Sequence, residues 1–102
     1  MGDQVKLLLS YNINAGQEQS YRRFVLEELL PQAQELGLLP TDAWHTAYGR
    51  YPDRLLGFVA EDLTAMRQVR NSSQWQGLMH RLAGYADDLR ERVVPFRDGF
   101  QW

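Results

Sequence analysis

The sequence predicts a small α+β domain with the element order β-α-β-β-α-β. Three observations carry that prediction. Residues 5–13 alternate apolar and mostly polar side chains, the two-residue period of a strand with one face on a core. Residues 17–36 and 73–89 place apolar side chains at helical spacing. Between them, Tyr51-Pro52-Asp53-Arg54 has the chemistry of a tight turn joining two further strand-like runs.

In the first strand Val5, Leu7, Leu9, Tyr11 and Ile13 share one face, and Lys6, Leu8, Ser10 and Asn12 share the other. Leu8 marks that second face as not fully solvated. Asn14-Ala15-Gly16 reads as a turn. A helix follows from Gln17 to Leu36, with Tyr21, Phe24, Val25, Leu29, Ala33 and Leu36 as its apolar stripe. Pro31 inside it predicts a kink or a restart, with Pro31 in the first turn of the second piece. Gly37 suits the C-cap, and Pro40 forbids continuation.

Thr41 to Tyr51 reads as the second strand. Trp44, Thr46, Tyr48 and Arg50 fall on one of its faces, His45, Ala47 and Gly49 on the other, and the sequence leaves open which face meets the core. Leu55 to Ala60 is the third strand, and Gly57 within it marks a bulge or a close backbone approach. Asp62 can cap a short helix with the stripe Leu63, Met66 and Val69. Ser73 and Gln76 have capping-box spacing and open a second helix, whose face reads Trp75, Leu78, Met79, Leu82, Tyr85, Ala86 and Leu89. Val93-Val94 then begins a final extended segment, an edge strand or loose arm because it contains Pro95 and Gly99.

This order suits the ferredoxin-like arrangement, an antiparallel four-stranded sheet with both helices on one face. The other face is left bare. Large aromatics on a bare sheet call for a partner, so a homodimer is expected, closing two sheets on a small cavity.

Composition narrows the function classes. At 102 residues the chain is one domain, residues 1–102. Its net charge of -2 supplies no basic field for nucleic acid or anionic lipid. Gly57-Phe58-Val59 resembles the core of an RNA-binding strand motif, but Leu55, Leu56 and Glu61 stand where basic or aromatic residues belong. There are no cysteines, which removes disulfides, thiolate metal sites and a Cys nucleophile together. His45 and His80 do not make a metal set. The start MGDQVK has no leader pattern, and no apolar run approaches the roughly 20 residues of a membrane span. A cytoplasmic protein with no metal, no cofactor, no nucleic acid and no membrane partner is the expectation.

The pattern Asn12, Gly16-x-Glu18-x-x-Tyr21-x-x-Phe24, with Trp75 and Leu78 on the later helix, resembles the dimeric α/β-barrel superfamily. That group includes antibiotic-biosynthesis-type monooxygenases, heme-degrading monooxygenases and NIPSNAP-like proteins. The resemblance implies the fold, the homodimer and a cavity for a small hydrophobic molecule. It also implies that Asn12 lines that cavity with Ser10 and helps position substrate or oxygen. The heme-degrading branch pairs such an Asn with a Trp and a His. Trp75 and His80 are the nearest counterparts, but they stand closer together than that pattern requires.

His45 is the better titratable candidate, able to serve as base or donor near neutral pH. Tyr48 could supply an acid and Arg50 an anion clamp, with Trp44 as an apolar wall. Each has a structural reading beside it. Asn12 could bond the neighbouring turn, His45 could be a hydrogen-bonded structural residue, and Arg50 and Arg54 could pair with Asp53 and Glu61 across the hairpin. The leading expectation is a small-molecule-binding dimeric barrel. If catalytic, it would perform cofactor-independent oxidation or isomerisation of a small, flat substrate. Asn12 and His45 would be catalytic, and Ser10, Trp44, Tyr48 and Arg50 would bind the ligand. The alternative is a non-catalytic dimeric binding or assembly module.

Overall fold

The computed structural model describes residues 4–45 and 54–96. The elements are β1 (Val5–Ile13), α1 (Glu18–Phe24), a π-helical segment (Val25–Leu29), α2 (Leu30–Glu35), β2 (Leu39–His45), β3 (Arg54–Ala60), α3 (Leu63–Asn71), α4 (Ser73–Ala83) and β4 (Ala86–Pro95). The four strands form one antiparallel sheet in the order β2-β3-β1-β4. The helices cover one side of it, as the element order predicts.

The alternation in β1 places Leu7, Leu9 and Tyr11 in the core, each fully buried. Phe58 and Leu7 face each other across the β1–β3 pair, as do Leu56 and Leu9. These side chains meet Tyr21, Phe24 and Leu29 from the first helical run, and Trp75, Leu78 and Leu82 from α4. The Trp75 ring stands edge-on to Phe58, centroids 5.9 Å apart. Trp75 is therefore a core anchor, and His80 on the same helix is exposed. Phe58, burying its ring in the core, offers no stacking surface.

The π-helical segment lies immediately ahead of Pro31, where the helix loses a backbone donor and the pyrrolidine ring crowds the preceding turn. Pro31 then sits in the first turn of α2, as expected. Gly37 closes the run in the left-handed region, φ 97°. Its N–H donates to Gln34 O, and Leu38 N–H donates to Ala33 O, the paired bonds of a Schellman cap. Asp62 caps α3 through Ala65 N–H at 2.8 Å.

Four boundaries differ from the sequence reading. The cap of α4 is Ser72, not Ser73: its hydroxyl accepts from Trp75 N–H at 3.1 Å and donates to Val69 O at 2.6 Å, ending α3 and starting α4 with one side chain. Helix α4 stops at Ala83, so Tyr85, Ala86 and Leu89 lie outside it. β4 begins at Ala86 and pairs with β1 along its length, whereas extension was expected only from Val93. The cause is a bulge. The β1–β4 register shifts between Ser10 and Asn12, and Asp88 there has φ 57°. The extra residue brings Ala86 and Leu89 to the same core. A bulged strand thus reproduces the three-residue spacing of a helix. Finally, β2 begins at Leu39 and shifts register between Pro40 and Asp42; residues 46–51 of the expected strand lie outside the described residues.

Candidate functional site

The clearest candidate site lies on the helix-covered side of the sheet. A cavity of about 430 Å³ opens between the first helical run and strands β2 and β3. Val25, Leu26, Leu30, Leu56 and Phe58 make apolar walls. The π-helical segment supplies two of them, Val25 and Leu26, and Leu26 remains largely exposed. Tyr21 and Arg54 also line the cavity. Arg54 opens β3, whereas Phe58 pairs with Pro40 and Gly57 with Asp42 farther along it, so Arg54 stands near one end and Thr41 and Asp42 border the cavity nearer the other.

Tyr21 is held from behind by Tyr11. Their hydroxyl oxygens are 2.5 Å apart and their rings meet at 64° with centroids 5.7 Å apart. Tyr11 is fully buried and Tyr21 is nearly so. Two neutral phenols satisfy each other where either alone would be stranded in the core. Burial pushes the Tyr11 phenol far up from its ordinary value, and the neighbouring Tyr21 adds to the shift. Burial also raises Tyr21, against the hydrogen bond from Tyr11 and the charge and hydrogen bond of Arg54, which favour ionisation. The Arg54 guanidinium stands 5.8 Å from the centre of the Tyr21 ring, within cation–π range.

The helix-free face carries a different arrangement. Lys6 is buried there and forms an ion pair with Asp42. The Lys6 ammonium lies 5.4 Å from the Phe96 ring centre. Gly57 makes room for the pair: a Cβ there would meet Asp42 Oδ2 at 2.7 Å and Lys6 Cε at 3.1 Å. This is the close approach that the glycine in β3 signalled. Farther along the face, Leu8, Ser10, Leu55, Arg90 and Arg92 border a hollow of about 440 Å³.

Of the expected site residues, Ser10 and Asn12 have side chains among the described residues. Ser10 borders the hollow on the helix-free face. Asn12 pairs with Asp87 beyond the bulge, and it does not line that hollow. In the β2–β3 register Trp44 stands opposite Leu55 and His45 opposite Arg54. Trp44 therefore shares a cross-strand row with Ser10, and His45 shares one with Arg54 and Tyr11. The side chains of Trp44 and His45, and all of Tyr48 and Arg50, lie outside the described residues. Tyr21 and Arg54 are the site residues that sequence reasoning missed. Tyr21 was placed in the helix stripe as core, and Arg54 in the turn. The available signal was two phenols, Tyr11 and Tyr21, on otherwise apolar buried faces, each needing a polar partner.

Among the described residues, no group of three His, Asp or Glu side chains is placed to hold a metal, and no helix is long and apolar enough to cross a membrane.

No protein-family model and no curated protein matches this sequence. Solved structures do match its fold. A NIPSNAP family protein from Agrobacterium tumefaciens aligns with a TM-score of 0.68 at 20% identity, over 96% of this chain and 90% of its own. A NIPSNAP-like domain protein from Burkholderia xenovorans aligns with a TM-score of 0.71 at 10% identity, over 99% and 92%. An antibiotic biosynthesis monooxygenase-like protein from Nitrosomonas europaea aligns with a TM-score of 0.70 at 9% identity, over 94% and 92%. In fold, this chain stands with the ferredoxin-like NIPSNAP and antibiotic-biosynthesis-monooxygenase-like proteins.

Proposed function

We propose that this protein binds a small, largely apolar molecule in the cavity between its first helical run and β2–β3, and does so as a homodimer joined through the helix-free sheet face. The observation that carries the reading is the cavity itself: mostly apolar walls, with Tyr21 and Arg54 near one end and Thr41 and Asp42 at its β2 border. That combination is how small-molecule sites are ordinarily built, with burial for affinity and a few polar groups for orientation. The site named here differs from the one the sequence suggested, which placed the ligand on the sheet face between two copies.

Chemistry on the ligand, in this reading, is cofactor-independent oxidation by molecular oxygen, or isomerisation. Arg54 stabilises negative charge and Tyr21 exchanges a proton at the polar end. The likeness to an antibiotic biosynthesis monooxygenase-like protein supports that class at the level of fold. The rival reading is a dimeric assembly module with no ligand. Titration with the neutral fluorescent probe N-phenyl-1-naphthylamine separates them. The binding reading predicts saturable binding, one probe per chain, weakened at least tenfold by Leu30→Trp, which fills the cavity. Absence of saturable binding, or binding indifferent to Leu30→Trp, favours the assembly module.

A further inference from the structure

We propose that the Tyr21 hydroxyl is a hydrogen-bond donor to the ligand of this cavity, so that the site takes apolar molecules carrying an uncharged acceptor oxygen, a ketone carbonyl above all. The inference rests on the cavity reading above and narrows it to a ligand class and a single contact.

Two hydroxyls bonded to each other use one of their two protons. In the Tyr11–Tyr21 pair either oxygen can be the donor, and the surroundings decide between the two orders. Tyr11 is fully buried, and among the described residues its hydroxyl makes no hydrogen bond except with Tyr21. Were Tyr21 the donor, the Tyr11 proton would be buried without an acceptor, which is costly. With Tyr11 as donor, the proton left over belongs to Tyr21. Tyr21 lines the cavity and Tyr11 does not. Arg54 favours the same order. Its guanidinium can only donate, and it gives the Tyr21 oxygen a second hydrogen bond. An oxygen that accepts twice still has its own proton to give, and the two donors polarise that O–H and strengthen it. The phenol keeps the proton at neutral pH, because burial raises it from its ordinary value.

The remaining polar groups of the lining answer one another. Thr41 donates to Asp42 Oδ2 at 3.2 Å, and Asp42 is ion-paired with Lys6. Arg54 is engaged by the oxygen and the ring of Tyr21. A neutral donor among mostly apolar walls matches a neutral acceptor, since burying an ion in such surroundings is costly. Tyr11 also holds the Tyr21 oxygen in place before any ligand arrives, and a donor fixed in advance lowers the cost of binding.

The test displaces N-phenyl-1-naphthylamine at pH 7 with two probes of nearly equal shape. One is 2-acetylnaphthalene; the other, 2-isopropenylnaphthalene, has a methylene group in place of the carbonyl oxygen. Ketone affinity relative to hydrocarbon affinity should fall about tenfold from the native protein to Tyr21→Phe, the scale of one hydrogen bond. The hydrocarbon's own affinity should stay unchanged, which shows that the cavity is intact. Isotope-edited infrared spectra of bound 2-acetylnaphthalene should place its carbonyl stretch below the value in hexane, and Tyr21→Phe should return it toward that value. A stretch at the hexane value in the native protein overturns the proposal without any substitution. A relative affinity or a lowered stretch that survives Tyr21→Phe overturns it as well, because another group is then the donor. Tighter binding of 2-naphthoate than of the ketone overturns the uncharged ligand class. Each of these outcomes leaves the cavity reading standing. If neither probe nor the fluorophore binds, the cavity reading fails and this proposal falls with it.

Discussion

Tyr11 and Tyr21 are hydrogen-bonded through their hydroxyls, with Tyr11 fully buried and Tyr21 nearly so. Both phenols are raised from their ordinary value near 10. The consequence for stability has a definite sign. Below pH 10 both phenols are neutral in folded and unfolded chains and their contribution is complete. Above it the unfolded chain releases protons that the folded one retains, so stability falls as pH rises. Urea unfolding between pH 8 and 11 should therefore show an alkaline loss of stability that begins near pH 10 and is smaller in the Tyr11→Phe/Tyr21→Phe double variant; an unchanged slope would contradict it. The Lys6–Asp42 pair makes a second prediction. With Lys6 buried, Asp42→Ala leaves an ammonium without this partner and should cost about 3 kcal/mol in chemical denaturation. Gly57→Ala should cost about 1–3 kcal/mol by forcing the same carboxylate aside. Gly57 was legible in the sequence as a place where something comes close. What came close was not, because the ion pair joins β1 to β2 across the intervening β3.

At the scale of elements, local chemistry was legible wherever a single residue type decides a backbone conformation. Pro31 restarts a helix, Gly37 ends one and Asp62 begins one, as their side chains dictate. The errors arose where periodicity stood alone. Leu82, Tyr85, Ala86 and Leu89 keep helical spacing through the end of α4 and into β4, and only the bulge at Asp88 explains why a strand carries that pattern. Asp tolerates the left-handed region at this position, and a β-branched residue does not. Asp88→Val should thus destabilise the fold by about 1–2 kcal/mol, with Asp88→Gly close to neutral, both read from thermal unfolding monitored by circular dichroism. Ser72→Ala removes the end of one helix and the start of the next together, and should cost about 1–2 kcal/mol in the same measurement.

At the scale of the molecule, the two faces of the sheet have separate tasks in this account. The helix-covered face holds the core and, near β2, the ligand cavity. Antiparallel helices are laced together above it by Gln74–Gln32 and by the ion pair of Arg81 with Glu28. The helix-free face holds Leu8 and Leu55 beside Ser10, and is the surface proposed to join two copies. Leu8→Glu should accordingly convert a dimer to a monomer in analytical ultracentrifugation while the circular dichroism spectrum is retained; a native chain that sediments as a monomer at micromolar concentrations would remove the dimer from the account. Element order made the fold and the bare face legible from sequence. The cavity was not legible, because its polar end is assembled from Tyr21 on a helix and Arg54 on a strand that nothing in their sequence spacing brings together.

The central claim is that this cavity, and not the sheet face, receives the ligand. Methyl-labelled NMR spectra recorded during titration with N-phenyl-1-naphthylamine test it most directly. The account predicts saturable shifts concentrated in Val25, Leu26, Leu30 and Leu56, with Leu8 and Leu55 unmoved. Shifts centred on Leu8 and Leu55, with the cavity methyls unchanged, would contradict it and return the site to the sheet face.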